Sequence, residues 1–107
     1  MEEITVHELK AKMDNNEKFH LIDVREPHEY EEANIGGQLI PLGELPDHLD
    51  ELDQWKDEEI ILMCRSGKRS GQALQYLQSE GFNNLQNLEG GILAWQEMME
   101  DSDSGQE

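Results

Sequence analysis

Apolar residues in this chain fall into two kinds of pattern, short continuous runs and helical stripes, and they alternate along its length. Val6, Leu9 and Met13 recur at helical spacing behind Thr5 and Glu8, a pair that fits a capping box, so a first helix is expected over about 6–13, with Ile4 before it in a short edge strand. Residues 19–24 read as a buried strand that ends in charge at Asp23, Arg25 and Glu26. Pro27 suits the first turn of a second helix reaching about Ala33, Gly36 and Gly37 turn the chain, and a short strand over 38–40 follows. Leu42, Leu45, Leu49 and Leu52 share one helical face, with Trp55 expected to pack over it and Pro46 restricting where a regular helix can start. The run 60–63 lacks alternation, which predicts a strand covered on both faces. A helix over about 70–80 turns Ala73, Leu74 and Leu77 inward and stops at Gly81; a weaker strand over 83–88 and a last helix carrying Ile92, Trp95 and Met99 on one face complete the pattern. Five or so such alternations call for a mainly parallel sheet with helices on both faces, an α/β fold whose ligands sit beyond the carboxyl ends of the strands.

With 107 residues, the chain is expected to form one domain over 1–99, followed by an acidic segment, 100–107, whose composition suits an unstructured tail. The formal charge of -17 argues against general binding to nucleic acid or to anionic membranes, because the long-range field repels phosphates. No run approaches the length needed to span a bilayer and none resembles a secretion signal, so a cytoplasmic location is expected. A single cysteine excludes an internal disulfide and a four-cysteine zinc site. His7, His20, His28 and His48 have no metal-ligand spacing and read as isolated surface residues; neither metal nor cofactor is expected.

That one cysteine changes the picture. Cys64 follows the buried run 60–63 directly, and Arg65, Lys68 and Arg69 place three of the chain's eight Lys and Arg residues within reach of it. The architecture puts it at the carboxyl edge of the sheet. Loop N–H groups, the positive end of the next helix and the three cations should favour thiolate, moving Cys64 from about 8.5 toward the range of roughly 3.5–7.5 found at activated cysteines. A cysteine beside Ile and Leu is ordinarily a small buried hydrophobe, but such a residue has no use for three cations and the small hinge residues Ser66 and Gly67. Cys64 to Arg69 is Cys-x4-Arg, one residue shorter than the Cys-x5-Arg loop with which tyrosine phosphatases surround a tetrahedral phosphate. A Walker-type phosphate loop is excluded, since no glycine stands five positions before Gly67 and Lys68 is not followed by Ser or Thr.

The stretch Cys64-Arg65-Ser66-Gly67-Lys68-Arg69-Ser70 is similar to the active-site loop of the single-domain rhodaneses, which are sulfurtransferases. The segment from Leu21 through Asp23-Val24-Arg25-Glu26-Pro27 to Tyr30 resembles their Asp-Val-Arg-Glu-Pro segment, and Gly90-Gly91-Ile92-Leu93-Ala94-Trp95 their Gly-Gly-x-x-x-Trp ending. The resemblance covers residues 3 to 99. It departs at Ala33-Asn34-Ile35-Gly36-Gly37-Gln38, where many members read Gly-His-Ile-Pro-Gly-Ala, so no role of that His or Pro carries over. The resemblance implies a rhodanese-like three-layer fold and a thiosulfate-type sulfurtransferase working through a Cys64 persulfide, with a small-molecule sulfur donor and a thiol or cyanide as acceptor. Arg65, Ser66, Gly67, Lys68 and Arg69 would bind substrate, and Asp23 and Arg25 would lie just behind them, either near substrate or as a structural ion pair.

Two rival readings stand beside this one. The chain could instead be a sulfur carrier or interaction module that receives persulfide from a partner protein and turns over little by itself. Phosphatase or arsenate reductase chemistry is disfavoured by the short loop and by the want of a second cysteine.

Overall fold

The protein is described by a computed structural model covering residues 2–104. Five strands, β1 (Glu3–Ile4), β2 (His20–Asp23), β3 (Gln38–Leu39), β4 (Ile60–Met63) and β5 (Leu85–Leu88), form one sheet in the order β1-β5-β4-β2-β3, and every pairing is parallel. Five α-helices connect them: α1 (Val6–Asp14), α2 (Pro27–Glu32), α3 (Leu49–Leu52), α4 (Lys68–Ser79) and α5 (Gly91–Ser104). The sheet therefore has the expected α/β, three-layer architecture. Helix α5 runs through Ser104, beyond the domain boundary expected after residue 99, and residues 105–107 lie outside the described residues.

β4 occupies the middle of the sheet, and all four of its residues are buried. Its pleat sends Ile60 and Leu62 into one apolar layer with Leu45, Leu52, Leu74, Leu77 and Phe82, while Ile61 and Met63 enter the opposite layer with Leu9, Leu88, Ile92 and Met98. Cys64 continues the first series and faces the layer that contains α4.

Local chemistry accounts for the ends of the elements. Thr5 and Glu8 form the expected capping box, in which the Glu8 N–H donates to Thr5 Oγ1 at 3.1 Å and the Thr5 N–H to Glu8 Oε1 at 3.0 Å. Gly81, at φ +95°, stops α4. The leucine stripe Leu42–Leu52 is split: Leu42–His48 is 3-10 helix, and only Leu49–Leu52 is α-helix. Pro46 is the physical reason, since it cannot donate a backbone hydrogen bond inside a regular helix. Trp55 packs against that stripe as expected, and it also stacks on His20 with ring centroids 3.8 Å apart. His20 Nε2 lies 2.9 Å from Glu58 Oε1, so this histidine is a packed residue and not the isolated surface group its spacing suggested.

Candidate active site at the end of the central strand

β4 ends at Met63, and the next residue carries the chain over the carboxyl edge of the sheet. Helix α4 begins at Lys68, two positions before the apolar spacing suggested, with Gly67 as its N-terminal cap at φ +98°. The connection is consequently shorter and tighter than its sequence implies. Lys68 and Arg69 occupy the first turn of α4, which contains no acidic residue. Cations at this end of a helix oppose its dipole, so the arrangement is stabilised only by negative charge placed close by.

From below, the loop is held by the start of α5. The Ile92 N–H donates to the Cys64 carbonyl at 2.9 Å, and the Leu93 N–H to the Arg65 carbonyl at 3.2 Å. Gly91, at φ +57°, makes this approach possible: a Cβ there would strike the carbonyl oxygens of both Cys64 and Arg65. The glycine pair therefore does more than turn the chain.

Cys64 is only 1% exposed. The sulfur is buried, as an ordinary core cysteine would be, but it is surrounded by donors. Sγ accepts from the Gly67 N–H at 3.1 Å and lies 3.4 Å from the Ser70 hydroxyl. Burial pushes the thiol pKa up, but the Ser70 hydroxyl and the N–H groups of Ser70, Gly67 and Ser66 outweigh it and hold the thiol below its usual range. Hydrogen bonds, rather than the surrounding cations, lead this stabilisation of the thiolate.

Two of the residues closest to this network were not singled out in the sequence. Ser70 is fully buried, and its hydroxyl also reaches Asn87 Oδ1. Asn87, 3% exposed on β5, donates through Nδ2 to the Gly67 carbonyl at 3.0 Å. The signal for Asn87 was available: a two-residue period places it on the same face as Leu85, which packs in the layer that holds Cys64, and an amide at such a position needs partners.

The cations separate into different environments. Arg69 is clamped by Glu29 of α2, with Nη1 to Oε1 at 2.7 Å and Nη2 to Oε2 at 2.9 Å. The guanidinium holds the Glu29 carboxyl far below its usual range, at about 2. Arg65 and Lys68 are exposed, and among the described residues neither has an ion-pair partner. Asp23 and Arg25 form a buried pair: the Asp23 carboxylate accepts from the Arg25 Nη2 at 2.7 Å and Nε at 3.0 Å, while Arg25 Nη2 also donates to the Ala33 carbonyl at 2.8 Å. Arg25 thereby ties the end of β2 to the end of α2, and it also lines the hollow beside Arg65.

The loop that departs from the rhodanese pattern is closed by its own residues. Asn34 Oδ1 accepts from the Gly36 N–H at 3.0 Å, and Gly36 adopts φ +90°. A hollow of about 370 Å³ opens beside the site between Arg25, Glu29, Glu32, Ala33, Arg65 and Gln96. A second, of about 450 Å³, shares Ala33 and Gln96 with it and continues along Ile35, Trp95 and Met99. Among the described residues no group of acidic, His and Cys side chains is arranged to hold a metal ion, and no helix is long and apolar enough to cross a membrane.

Comparison with known proteins adds relatives to this geometry. The family model for the rhodanese-like domain matches residues 5–98. YtwF of Bacillus subtilis (strain 168) is 40% identical over 97 residues, which cover 90% of this chain and 91% of that protein. A sulfurtransferase of Allochromatium vinosum is 36% identical over 94 residues, covering 87% of this chain and 86% of its own length. The crystal structure of a rhodanese-like domain protein from Staphylococcus aureus superposes with a TM-score of 0.81 at 34% identity, over 89% of this chain and 91% of that one.

Proposed function

The chain belongs to the rhodanese-like domain family, and from that premise we propose that it is a sulfurtransferase that carries a sulfane sulfur as a persulfide on Cys64. The observation that carries the reading is the sulfur itself, buried at the strand end yet met by a converging set of donors that hold its pKa below the usual thiol range. In the first step the Cys64 thiolate attacks the outer sulfur of an anionic donor such as thiosulfate. A Cys64 S–S bond forms, the donor S–S bond breaks, and sulfite leaves with the electron pair. In the second step a nucleophile such as cyanide or a thiolate takes the outer sulfur and returns Cys64 as thiolate. Charge balances in both steps, with no cofactor required.

Burial of Cys64 suits this chemistry. An added sulfur stands about 2.05 Å beyond Sγ, and the neighbouring loop residues Arg65, Ser66 and Lys68 are exposed while the carrier atom itself is buried. Arg65 and Lys68 attract the dianionic donor and offset the charge developing on departing sulfite. Arg69 contributes less than its position suggests, because Glu29 already neutralises it.

Incubation with thiosulfate followed by mass spectrometry of the intact protein should show one added sulfur, removable by cyanide and missing from Cys64→Ser. No adduct, under conditions that load another rhodanese, would sink the proposal. A carrier role fed by a partner protein is favoured by one observation, the hollow of mixed polar and apolar lining along Ile35, Trp95 and Met99 that shares Ala33 and Gln96 with the hollow at Arg65. Rapid loading from a protein persulfide combined with slow cyanide turnover would select it. A cytoplasmic setting, in which thiols remain reduced, fits either version.

A further inference from the structure

The hydroxyl of Ser70 has one proton and two acceptors in reach, Asn87 Oδ1 and, at 3.4 Å, Cys64 Sγ. Both Ser70 and Asn87 are buried, at 0% and 3% exposed, so the direction of that proton is settled between these two acceptors. The orientation of the Asn87 amide is itself determined. The Gly67 carbonyl can only accept, so the amide NH₂ must face it, which turns Oδ1 toward Ser70. The same carbonyl accepts from the Gly71 N–H at 3.1 Å, within the first turn of α4, so Asn87 is anchored to a rigid point.

We propose that Asn87 is a positioning residue for sulfur transfer: it competes with Cys64 for the single proton of Ser70, holding the hydroxyl off the sulfur when the sulfur is neutral and yielding it when the sulfur is charged. The assignment rests on Cys64 being the sulfur-carrying nucleophile and extends that role. No proton changes owner; only the direction of donation alternates. During attack on the donor the hydroxyl is on the thiolate, and competition from Asn87 weakens that hydrogen bond, which leaves the sulfur more nucleophilic than it would be with Ser70 alone. Once the outer sulfur carries the charge, the inner sulfur is a poor acceptor and the hydroxyl turns to Asn87. When the acceptor removes the outer sulfur, Cys64 departs as thiolate and the hydroxyl swings back to stabilise it.

The charged groups around the sulfur are Arg65 and Lys68 of the loop, Arg69 of α4 with its partner Glu29 of α2, and the Asp23–Arg25 pair at the end of β2. β5 brings none, so Asn87 acts on Cys64 by its amide alone. This separates its effect from an electrostatic one.

With a single cysteine in the chain, the thiolate absorbance near 240 nm, titrated against pH with Cys64→Ser as blank, reads this one group and needs neither a sulfur donor nor reagent access. Ser70→Ala should raise the midpoint by about one pH unit, the size expected for losing one hydrogen bond to a charged group. Asn87→Ala should lower it by about half a unit, since the hydroxyl is left with the sulfur as its only acceptor. In the Ser70→Ala background the same Asn87 change should leave the midpoint where it is. A raised midpoint in Asn87→Ala, or an equal shift with and without Ser70, would overturn the proposal; the second result would mean that Asn87 works through the Gly67 carbonyl instead. Asn87→Leu, closer in volume, must shift in the same direction and is the variant to use if circular dichroism shows Asn87→Ala unfolded. Because no donor enters the titration, its outcome is independent of whether thiosulfate loads Cys64.

Discussion

At Cys64 two effects of opposite sign act on one thiol. Burial favours the neutral form, and hydrogen bonds from Ser70, Gly67 and Ser66 favour the anion and prevail. The cations that drew attention in the sequence do not lead this balance, and they sit in unequal surroundings. Arg65 and Lys68 face outward without ion-pair partners among the described residues, whereas the charge of Arg69 is matched by Glu29. Glu29→Gln keeps an acceptor for the Glu26 N–H while removing that matching charge. It should therefore speed loading from thiosulfate by about five-fold, or about 1 kcal/mol, for one extra positive charge near a dianion, and leave an uncharged donor unaffected. Stopped-flow loading with both kinds of donor checks this; equal acceleration of both would show that the substitution acts through loop geometry and not through charge.

Among the elements, the meeting of β4, α4 and α5 matters most. Backbone groups contribute from each: β4 ends just before the cysteine, the start of α4 adds N–H groups and the Ser70 hydroxyl around the sulfur, and α5 donates its first N–H groups to the loop carbonyls. This explains why Gly91 cannot be larger. Gly91→Ala would set a methyl group 2.5 Å from the Arg65 carbonyl oxygen and press on that of Cys64, at a φ of +57°. A cost of about 2–4 kcal/mol is expected, from strain plus steric overlap. Gly36 is the control, since it has a positive φ of +90° but open space around its Cβ position, so Gly36→Ala should cost only about 1–2 kcal/mol. Urea denaturation of the two variants separates the cases, and equal losses would show that the close approach beneath the loop is not what demands glycine.

On the scale of the whole molecule, the charge of -17 surrounds a small positive rim. The two fields have different ranges. Repulsion of an anionic donor comes from charges spread over the entire surface, while attraction comes from Arg65 and Lys68 close to the sulfur. Salt screens the distant charges first, because the Debye length falls from about 30 Å at 0.01 M to about 8 Å at 0.15 M. Loading from thiosulfate should consequently accelerate as salt is raised across this range, opposite to the behaviour of an enzyme that steers its substrate from afar. A rate that falls with salt would mean that the local rim dominates at all distances.

Much of this protein was legible in its sequence, for reasons that can be named. Spacing of apolar residues is a local property, so the alternation of strands and helices, the two-sided burial of 60–63 and the capping box at Thr5 and Glu8 followed from it. The position of Cys64 at the carboxyl edge followed too, because any strand that leads into a helix of a parallel sheet leaves its connecting loop there. Pro46 warned that the leucine stripe could not be one regular helix, though not where it would break. Pairings between distant segments carried no such local mark. That Glu29 on α2 would neutralise Arg69, that Asn87 on β5 would reach both Ser70 and Gly67, and that α5 would close beneath the cysteine loop depend on which strands lie side by side. Spacing in the chain singled out Cys64 and its place at the strand end; packing across the sheet decided what surrounds it, because hydrogen bonds and ion pairs form between neighbours in space.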